Sequence, residues 1–271
     1  MNSTLYTFFT RSLMLGLLTA LAPGGLGIPS TLSGEAAGVL GRSPGFDSPL
    51  LLPDLQALPP ADLEVQLEDG DGRKNLRLTV SVANRGTGAL ELLGVSDPRA
   101  GITSVTQHIF TFDGQLLEFP VGSFVFHPSH GHWHLENFAR YEVMSLTYSG
   151  TLKSVLAQND KVSFCLRDLD HDTLEENPAS AAYTACGKQM QGLSLGWTDT
   201  YRYHLAGQYI DITGVPDGFY AVRVTFDPED LLLEGREDNN SEHVYIQITG
   251  NDLRMIDNSD QFRILLDPRK E

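Results

Sequence analysis

Short runs in which apolar and polar residues alternate recur along most of this chain, and they constrain its fold more than any other feature. Leu76, Leu78, Val80 and Val82 form one such run, and residues 220–226 and 244–248 repeat the pattern. A period of two places the apolar side chains on one face of a β-strand. Turn signals separate the runs, and no long segment has a helical period. The sequence therefore predicts an all-β fold, a β-sandwich with long loops.

The N-terminal residues have the pattern of an export signal. Arg11 precedes an apolar run whose length suits a signal peptide and is short for a membrane span. The following segment is rich in Gly, Pro, Ser and Ala without periodicity, which indicates a flexible linker. We predict a signal peptide at 1–22, a linker at 23–52, one domain at 53–250 and a C-terminal tail at 251–271. The expected location is secreted, periplasmic or cell-surface, without a membrane span in the mature form, although the cleavage point and an uncleaved anchor stay open.

The net charge limits the kinds of binding partner, and the cysteine content bears on whether the domain contains a disulfide. The net charge of -16 disfavours nucleic acid, because nucleic acid is itself a polyanion. The two cysteines, Cys165 and Cys186, lie in the body of the domain. In an exported protein such a pair favours one disulfide, and two buried free thiols are the alternative.

Four of the eight histidines lie in one short segment, His127-Pro-Ser-His130-Gly-His132-Trp-His134. In an extended strand, His130, His132 and His134 would share one face, about 6–7 Å apart. Neutral imidazoles at that spacing can bind copper, zinc or nickel. His127 has the other parity, so we predict it outside the ligand set. The alternative is a histidine-rich surface loop without function.

The histidine segment, followed by Phe138-Ala-Arg-Tyr141, resembles the copper-binding segment of the lysyl oxidase catalytic domain. Further stretches resemble the same family in the same order: Lys161-Val-Ser-Phe-Cys-Leu166, Gln191-Gly-Leu-Ser-Leu-Gly-Trp-Thr-Asp-Thr-Tyr201, Tyr209-Ile-Asp-Ile-Thr-Gly-Val-Pro-Asp-Gly-Phe-Tyr220 and Leu233-Glu-Gly-Arg-Glu-Asp-Asn-Asn240. The resemblance covers about residues 53–250. It implies a lysyl oxidase-like β-sandwich, here a compact microbial-type relative, because most cysteines of the animal enzymes are absent.

The resemblance also implies a cofactor and a reaction. It implies that His130, His132 and His134 bind copper, and that Lys161 and Tyr201 are joined in a lysine tyrosylquinone. The implied reaction oxidatively deaminates a primary amine, either a small amine or an exposed protein lysine, to an aldehyde, while O₂ becomes H₂O₂ and ammonia is released. Taken singly, Lys161 could be a surface lysine and Tyr201 a core tyrosine.

Asp199 is the candidate general base for this reaction. It lies two residues before Tyr201, so both side chains share a face if the segment is extended. A carboxylate in a desolvated site has a raised pKa that suits proton abstraction. The alternative is an aspartate that only shapes a turn.

A second metal site follows from the resemblance. Positions that bind calcium in family members correspond here to Asp54, Leu55, Glu234, Asn239 and Asn240. Arg236 stands where the family usually has an aspartate, and its guanidinium would repel the ion or replace it with a salt bridge. The sequence leaves open which of the two applies.

Two rival functions remain at this level. One is a secreted, non-catalytic copper- or zinc-binding β-sandwich module, and the other is a zinc hydrolase with a metal-bound water. Only the amine oxidase requires Lys161 and Tyr201 to converge beside the histidines.

Overall fold

The computed structural model describes residues 48–256 except 69, 71, 98–101 and 177, and does not describe the side chains of Asp160 and Lys161. The predicted signal peptide at 1–22 and most of the predicted linker lie outside the described residues. The strands are β1 (Leu50–Leu51), β2 (Leu55–Ala57), β3 (Ala61–Leu67), β4 (Lys74–Asn84), β5 (Leu90–Asp97), β6 (Ile102–Thr111), β7 (Leu116–His127), β8 (His132–Leu146), β9 (Leu152–Phe164), β10 (Asp170–His171), β11 (Met190–Leu193), β12 (Trp197–Tyr201), β13 (Tyr209–Asp211), β14 (Gly218–Phe226), β15 (Ser241–Thr249) and β16 (Asp252–Ile256).

The strands form two antiparallel sheets, which confirms the all-β prediction. The larger sheet has the order β11-β5-β6-β7-β8-β14-β15-β16, with β1 paired to β6 and β9 paired to β8. The smaller sheet has the order β10-β12-β4-β13, with β2 and β3 also paired to β4. One cluster of buried apolar side chains contains residues from both sheets, as expected for a β-sandwich.

The alternating run in β4 is a main part of the smaller sheet's contribution to this core, together with Leu55, Tyr201 and Ile210 from neighbouring strands. Leu76, Leu78, Val80 and Val82 are each fully buried. None of the polar residues between them is exposed, because β4 is the central strand that pairs with β2, β3, β12 and β13. This central position also anchors β12, the strand that ends at Tyr201, because its residues 198–201 pair with β4.

Strand pairing extends past both ends of the predicted domain. β1 lies within the segment predicted as a linker and pairs with β6, with Leu50 opposite Thr111. β16 lies within the segment predicted as a tail and pairs with β15. Composition averaged over a whole segment does not detect a run of two to five residues that completes the backbone hydrogen bonds of a sheet edge. No segment in the described ranges is a helix long and apolar enough to cross a membrane.

Candidate metal centre and active site

A turn and a strand together position the three predicted metal ligands. β7 ends at His127, whose carbonyl oxygen accepts hydrogen bonds from the N–H groups of His130 at 3.1 Å and Gly131 at 2.8 Å. His130 therefore lies in the turn, while His132 and His134 lie in β8. The expectation that one continuous strand face carries all three was wrong for His130. Pro128 and Gly131 explain the turn, since Gly131 adopts a φ of 72° that favours glycine.

The three imidazoles nevertheless converge. One ring nitrogen from each of His130, His132 and His134 lies within 4.8 Å of the others. Nδ1 of His130 and Nε2 of His134 are 3.1 Å apart. Three nitrogen donors at these distances surround a space that suits a single transition-metal ion.

Hydrogen bonds at the outer ring nitrogens orient two of these ligands. The Nε2 atom of His130 lies 3.2 Å from the carbonyl oxygen of Ala206, which can only accept, so Nε2 carries the hydrogen and Nδ1 is free to bind a metal. Nδ1 of His134 lies 3.0 Å from the hydroxyl oxygen of Ser163. These contacts aim the remaining nitrogens at the common centre.

Burial keeps the imidazoles of His130, His132 and His134 neutral. Desolvation lowers the pKa of His130 and His132, with further lowering from His127 and Arg167 respectively. For His134, burial and then the neighbouring histidines lower the pKa to about 3. Neutral imidazole is the form that binds a metal. His127 stacks its ring on that of His134 with centroids 4.9 Å apart.

A cavity of about 310 Å³ lies beside the histidines. Its walls include His130, His132, Arg167, Cys186, Asp199 and Tyr201. A smaller cavity of about 200 Å³ borders the other side of the cluster and is lined by His127, His130, His134, Asn159, Ser163 and Gln208. The imidazoles are therefore accessible from two directions.

The predicted disulfide between Cys165 and Cys186 is present, and it forms part of this cavity wall. It connects the end of β9 to the segment before β11. Asp168 fixes the intervening loop by accepting hydrogen bonds from the N–H groups of Ala182 at 2.7 Å and Tyr183 at 3.0 Å. Although both sulfurs lie near His132, neither is a thiolate, so they do not form a second metal site.

Tyr201, at the end of β12, is only 6% exposed. Its hydroxyl accepts a hydrogen bond from the N–H of Cys165 and donates one to the carbonyl oxygen of the same residue at 3.2 Å. The centroid of its ring lies 3.8 Å from that of Phe164 and 6.0 Å from that of His134. Burial and the neighbouring Asp199 raise the pKa of the phenol. The ring is thus held next to the histidine cluster.

Asp199 lies on the same strand and faces the same cavity. It is 1% exposed, and neither carboxylate oxygen has a hydrogen-bond partner of normal geometry among the described residues. Desolvation raises its pKa to about 8, although the charge of Arg167 and the nearby N–H groups of Arg167 and Thr200 oppose this shift. A carboxyl group in this state can exchange a proton near neutral pH.

Lys161 lies in β9, next to β8, three residues before Phe164. Its side chain lies outside the described atoms, so its approach to Tyr201 stays a prediction.

The residues predicted to bind calcium form a second cluster. Glu234 is 6% exposed and accepts hydrogen bonds from the N–H of Leu55 at 2.5 Å and from Nδ2 of Asn240 at 2.7 Å. Asn239 donates through Nδ2 to Asp54 at 2.7 Å. The buried Oδ1 atoms of Asn239 and Asn240 have no hydrogen-bond partner in the described part of the chain. Burial raises the pKa of Glu234 to about 8.

Arg236 does not enter this cluster. Its guanidinium pairs with Asp238 at 2.8 Å, and their side chains are 60% and 78% exposed. This surface salt bridge involves none of the residues predicted to bind calcium, so it does not take the place of an ion among them.

Sequence reasoning did not single out Arg167 or Ser163. Both lie in or directly after the segment that contains Lys161, and Ser163 has the same strand parity as Lys161. That parity was an available signal for Ser163. No signal pointed to Arg167, because its proximity to Asp199 results from the chain path.

Fold and site together define a class: a β-sandwich in which a cluster of three histidines lies beside a cavity lined by a buried tyrosine and a buried aspartate. A family model described as Lysyl oxidase matches residues 117–258, more than half of the chain. The chain belongs to the lysyl oxidase family.

Curated relatives agree with this assignment. Lysyl oxidase homolog 3B of Danio rerio is 36% identical over 120 residues, which cover 44% of this chain and 14% of the relative. Lysyl oxidase homolog 1 of Homo sapiens is 34% identical over 132 residues, which cover 48% of this chain and 21% of the relative. The match thus spans about a fifth or less of these relatives' length.

Proposed function

We propose that this protein is an exported copper-dependent amine oxidase that converts primary amines, including protein lysines, to aldehydes through a lysine tyrosylquinone formed from Lys161 and Tyr201. One amine, one O₂ and one water give one aldehyde, one ammonia and one H₂O₂. The observation that carries the proposal is a shared cavity: neutral histidines line it together with Asp199 and Tyr201.

His130, His132 and His134 would hold the copper. Their fit is supported by three neutral nitrogen donors within 4.8 Å of one another and by the contacts of Ser163 and Ala206 that orient two of the rings. When bound, copper and the quinone supply the redox chemistry that moves electrons from the amine to O₂.

Asp199 would serve as the general base. Its burial raises its pKa to about 8, so the carboxylate that forms is basic enough to accept a proton from the carbon that bears the amine. Its oxygens are buried beside the cavity, and no described group donates a hydrogen bond of normal geometry to them. Meanwhile the Cys165 backbone and the Phe164 ring hold Tyr201 in place.

We also propose that Asp54, Leu55, Glu234, Asn239 and Asn240 hold calcium. Supporting this are the two buried asparagine oxygens without partners and the buried carboxylate beside them. Oxygen ligands of this type suit calcium. Calcium should raise the melting temperature of the wild-type protein, and the Glu234→Gln variant should lose that response. Equal responses of both proteins would rule out this site.

The cofactor is tested by mass spectrometry of copper-loaded protein. We expect a cross-linked peptide that contains residues 161 and 201, together with amine-dependent peroxide release. The Tyr201→Phe variant should lose both signals. Tyr148→Phe is the matched control, since Tyr148 is 75% exposed, and it should retain both.

The same experiment distinguishes the rival functions. Wild-type protein that binds copper without forming the cross-link or peroxide would indicate a non-catalytic metal-binding module. Zinc-loaded protein that hydrolyses esters or peptides equally well with Phe at position 201 would indicate a hydrolase.

A further inference from the structure

Arg167 differs from the paired arginines of this protein in its surroundings. Arg85 pairs with Asp172, Arg223 with Glu142, and Arg236 with Asp238. Arg167 is exposed and lines the 310 Å³ cavity. Within the described ranges, no carboxylate lies at ion-pair distance from its guanidinium. A cation without an anionic partner at a cavity wall is free to meet an anion that enters from solvent.

The charge of Arg167 acts inside the cavity. It is the largest influence that opposes the upward shift in the pKa of Asp199. Asp199 lines the same cavity, but among the described residues its carboxyl oxygens form neither an ion pair nor a hydrogen bond of normal geometry with the guanidinium. The cavity into which an amine must enter therefore has an uncompensated positive charge on its wall.

The remaining walls suit an unbranched carbon chain. Leu169 and Leu205 line the same cavity and offer apolar surface for methylene groups. The guanidinium is planar and can donate two parallel hydrogen bonds to one carboxylate. A second ammonium group at the same place would be repelled.

We propose that Arg167 determines substrate specificity by binding a carboxylate at the far end of the amine substrate. The preferred substrates are short primary amines with a terminal carboxylate, and diamines are disfavoured. This inference rests on the proposed amine oxidase function of the same cavity.

The test compares three amines of equal carbon number: pentylamine, δ-aminovalerate and cadaverine. Copper-loaded full-length protein is assayed for peroxide release at constant pH. In the wild type, we expect kcat/KM to be highest for δ-aminovalerate and lowest for cadaverine. Arg167→Gln should lower the ratio of δ-aminovalerate to pentylamine about tenfold and raise the ratio of cadaverine to pentylamine. Arg167→Lys, which keeps the charge but loses the paired hydrogen bonds, should fall between.

Ratios within one variant cancel any general effect of the substitution on Asp199 or on folding. Arg254→Gln is the matched control, because Arg254 is an exposed residue of β16 that bonds to Gln247. Its substrate ratios should equal those of the wild type. A wild type that prefers cadaverine, or ratios that do not change in Arg167→Gln, would overturn the inference.

A binding measurement separates this inference from the proposed function. Valerate has the carboxylate but no amine, so its binding to copper-loaded protein is measured by calorimetry without turnover. Weaker binding to Arg167→Gln by about tenfold supports the carboxylate site even if no amine is oxidised. Equal binding to both proteins shows that valerate contacts another group, such as the metal, and overturns the inference even if amines are oxidised.

Discussion

Two carboxyl groups, Asp199 and Glu234, have nearly the same degree of burial but different surroundings. They are 1% and 6% exposed, and desolvation raises the pKa of each to about 8. Glu234 accepts hydrogen bonds from Leu55 and Asn240, which tie β2 to the segment before β15. Asp199 faces a cavity, and its oxygens accept no hydrogen bond of normal geometry from the described residues.

In both residues burial raises the pKa of the carboxyl group. Hydrogen bonding distinguishes their roles, since a bonded carboxyl group is structural and an unbonded one beside a cavity can contact a ligand. A bonded carboxyl holds two segments together, and its removal leaves unpaired donors. An unbonded carboxyl beside a cavity is destabilising by itself, and such groups are typical of catalytic sites.

The largest expected effect is on catalytic activity, which should depend on Asp199 and not on Glu234. Asp199→Asn should lower kcat/KM for amine oxidation by about 100- to 10,000-fold, because the general base is lost. Glu234→Gln, measured in the same peroxide assay with equal copper content, should stay within about twofold of the wild type. Similar losses in both variants would contradict the division of roles.

The pH dependence of stability is the next test, carried out on metal-free protein by chemical denaturation. In the unfolded chain both groups ionise near pH 4, whereas in the folded protein they ionise near pH 8. The folded state therefore binds more protons between these values, and the free energy of unfolding should fall as pH rises, by about 1.4 kcal/mol per pH unit for each group. Asp199→Asn and Glu234→Gln should each reduce this slope by the contribution of one group, about 1.4 kcal/mol per pH unit.

Repeating the same measurement with calcium tests the contribution of Glu234 separately. If the ion binds the Glu234 cluster, adding it should remove the contribution of Glu234 to the slope and leave that of Asp199. A calcium effect of equal size in Glu234→Gln would place the ion elsewhere.

A smaller effect concerns the histidine side of the cavity. Ser163→Ala removes the contact with Nδ1 of His134, so copper should bind about 10- to 100-fold more weakly in a chelator competition. Ser145→Ala is the control, since Ser145 bonds to the Ser154 carbonyl instead. Unchanged affinity in Ser163→Ala would mean that the strand alone orients His134.

The smallest effect concerns stability at one pH. Glu234→Ala leaves the buried N–H of Leu55 unpaired, which should cost about 1–3 kcal/mol in the free energy of unfolding at pH 6. Asp199→Ala leaves no donor of that kind and should cost less. Urea denaturation of the two metal-free variants measures the difference, and a larger loss for Asp199→Ala would reverse the comparison.

Local patterns in the sequence predicted the strands well. The run at 76–82 forms β4 with its apolar residues buried, because alternation reports the two faces of a strand directly. The prediction was wrong where a local rule was extended too far. His130 lies in a turn, since Pro128 and Gly131 interrupt the strand that the histidine spacing suggested.

The sequence by itself determined the sandwich, the family and the clustered imidazoles, because each is encoded by neighbouring residues or by segments with a recognisable order. Only the tertiary structure decided that Asp199, Arg167 and His132 line one cavity, and that Glu234 is bonded whereas Asp199 is not. Burial and electric field depend on which distant segments pack around a group, and that arrangement exists only once both sheets have formed.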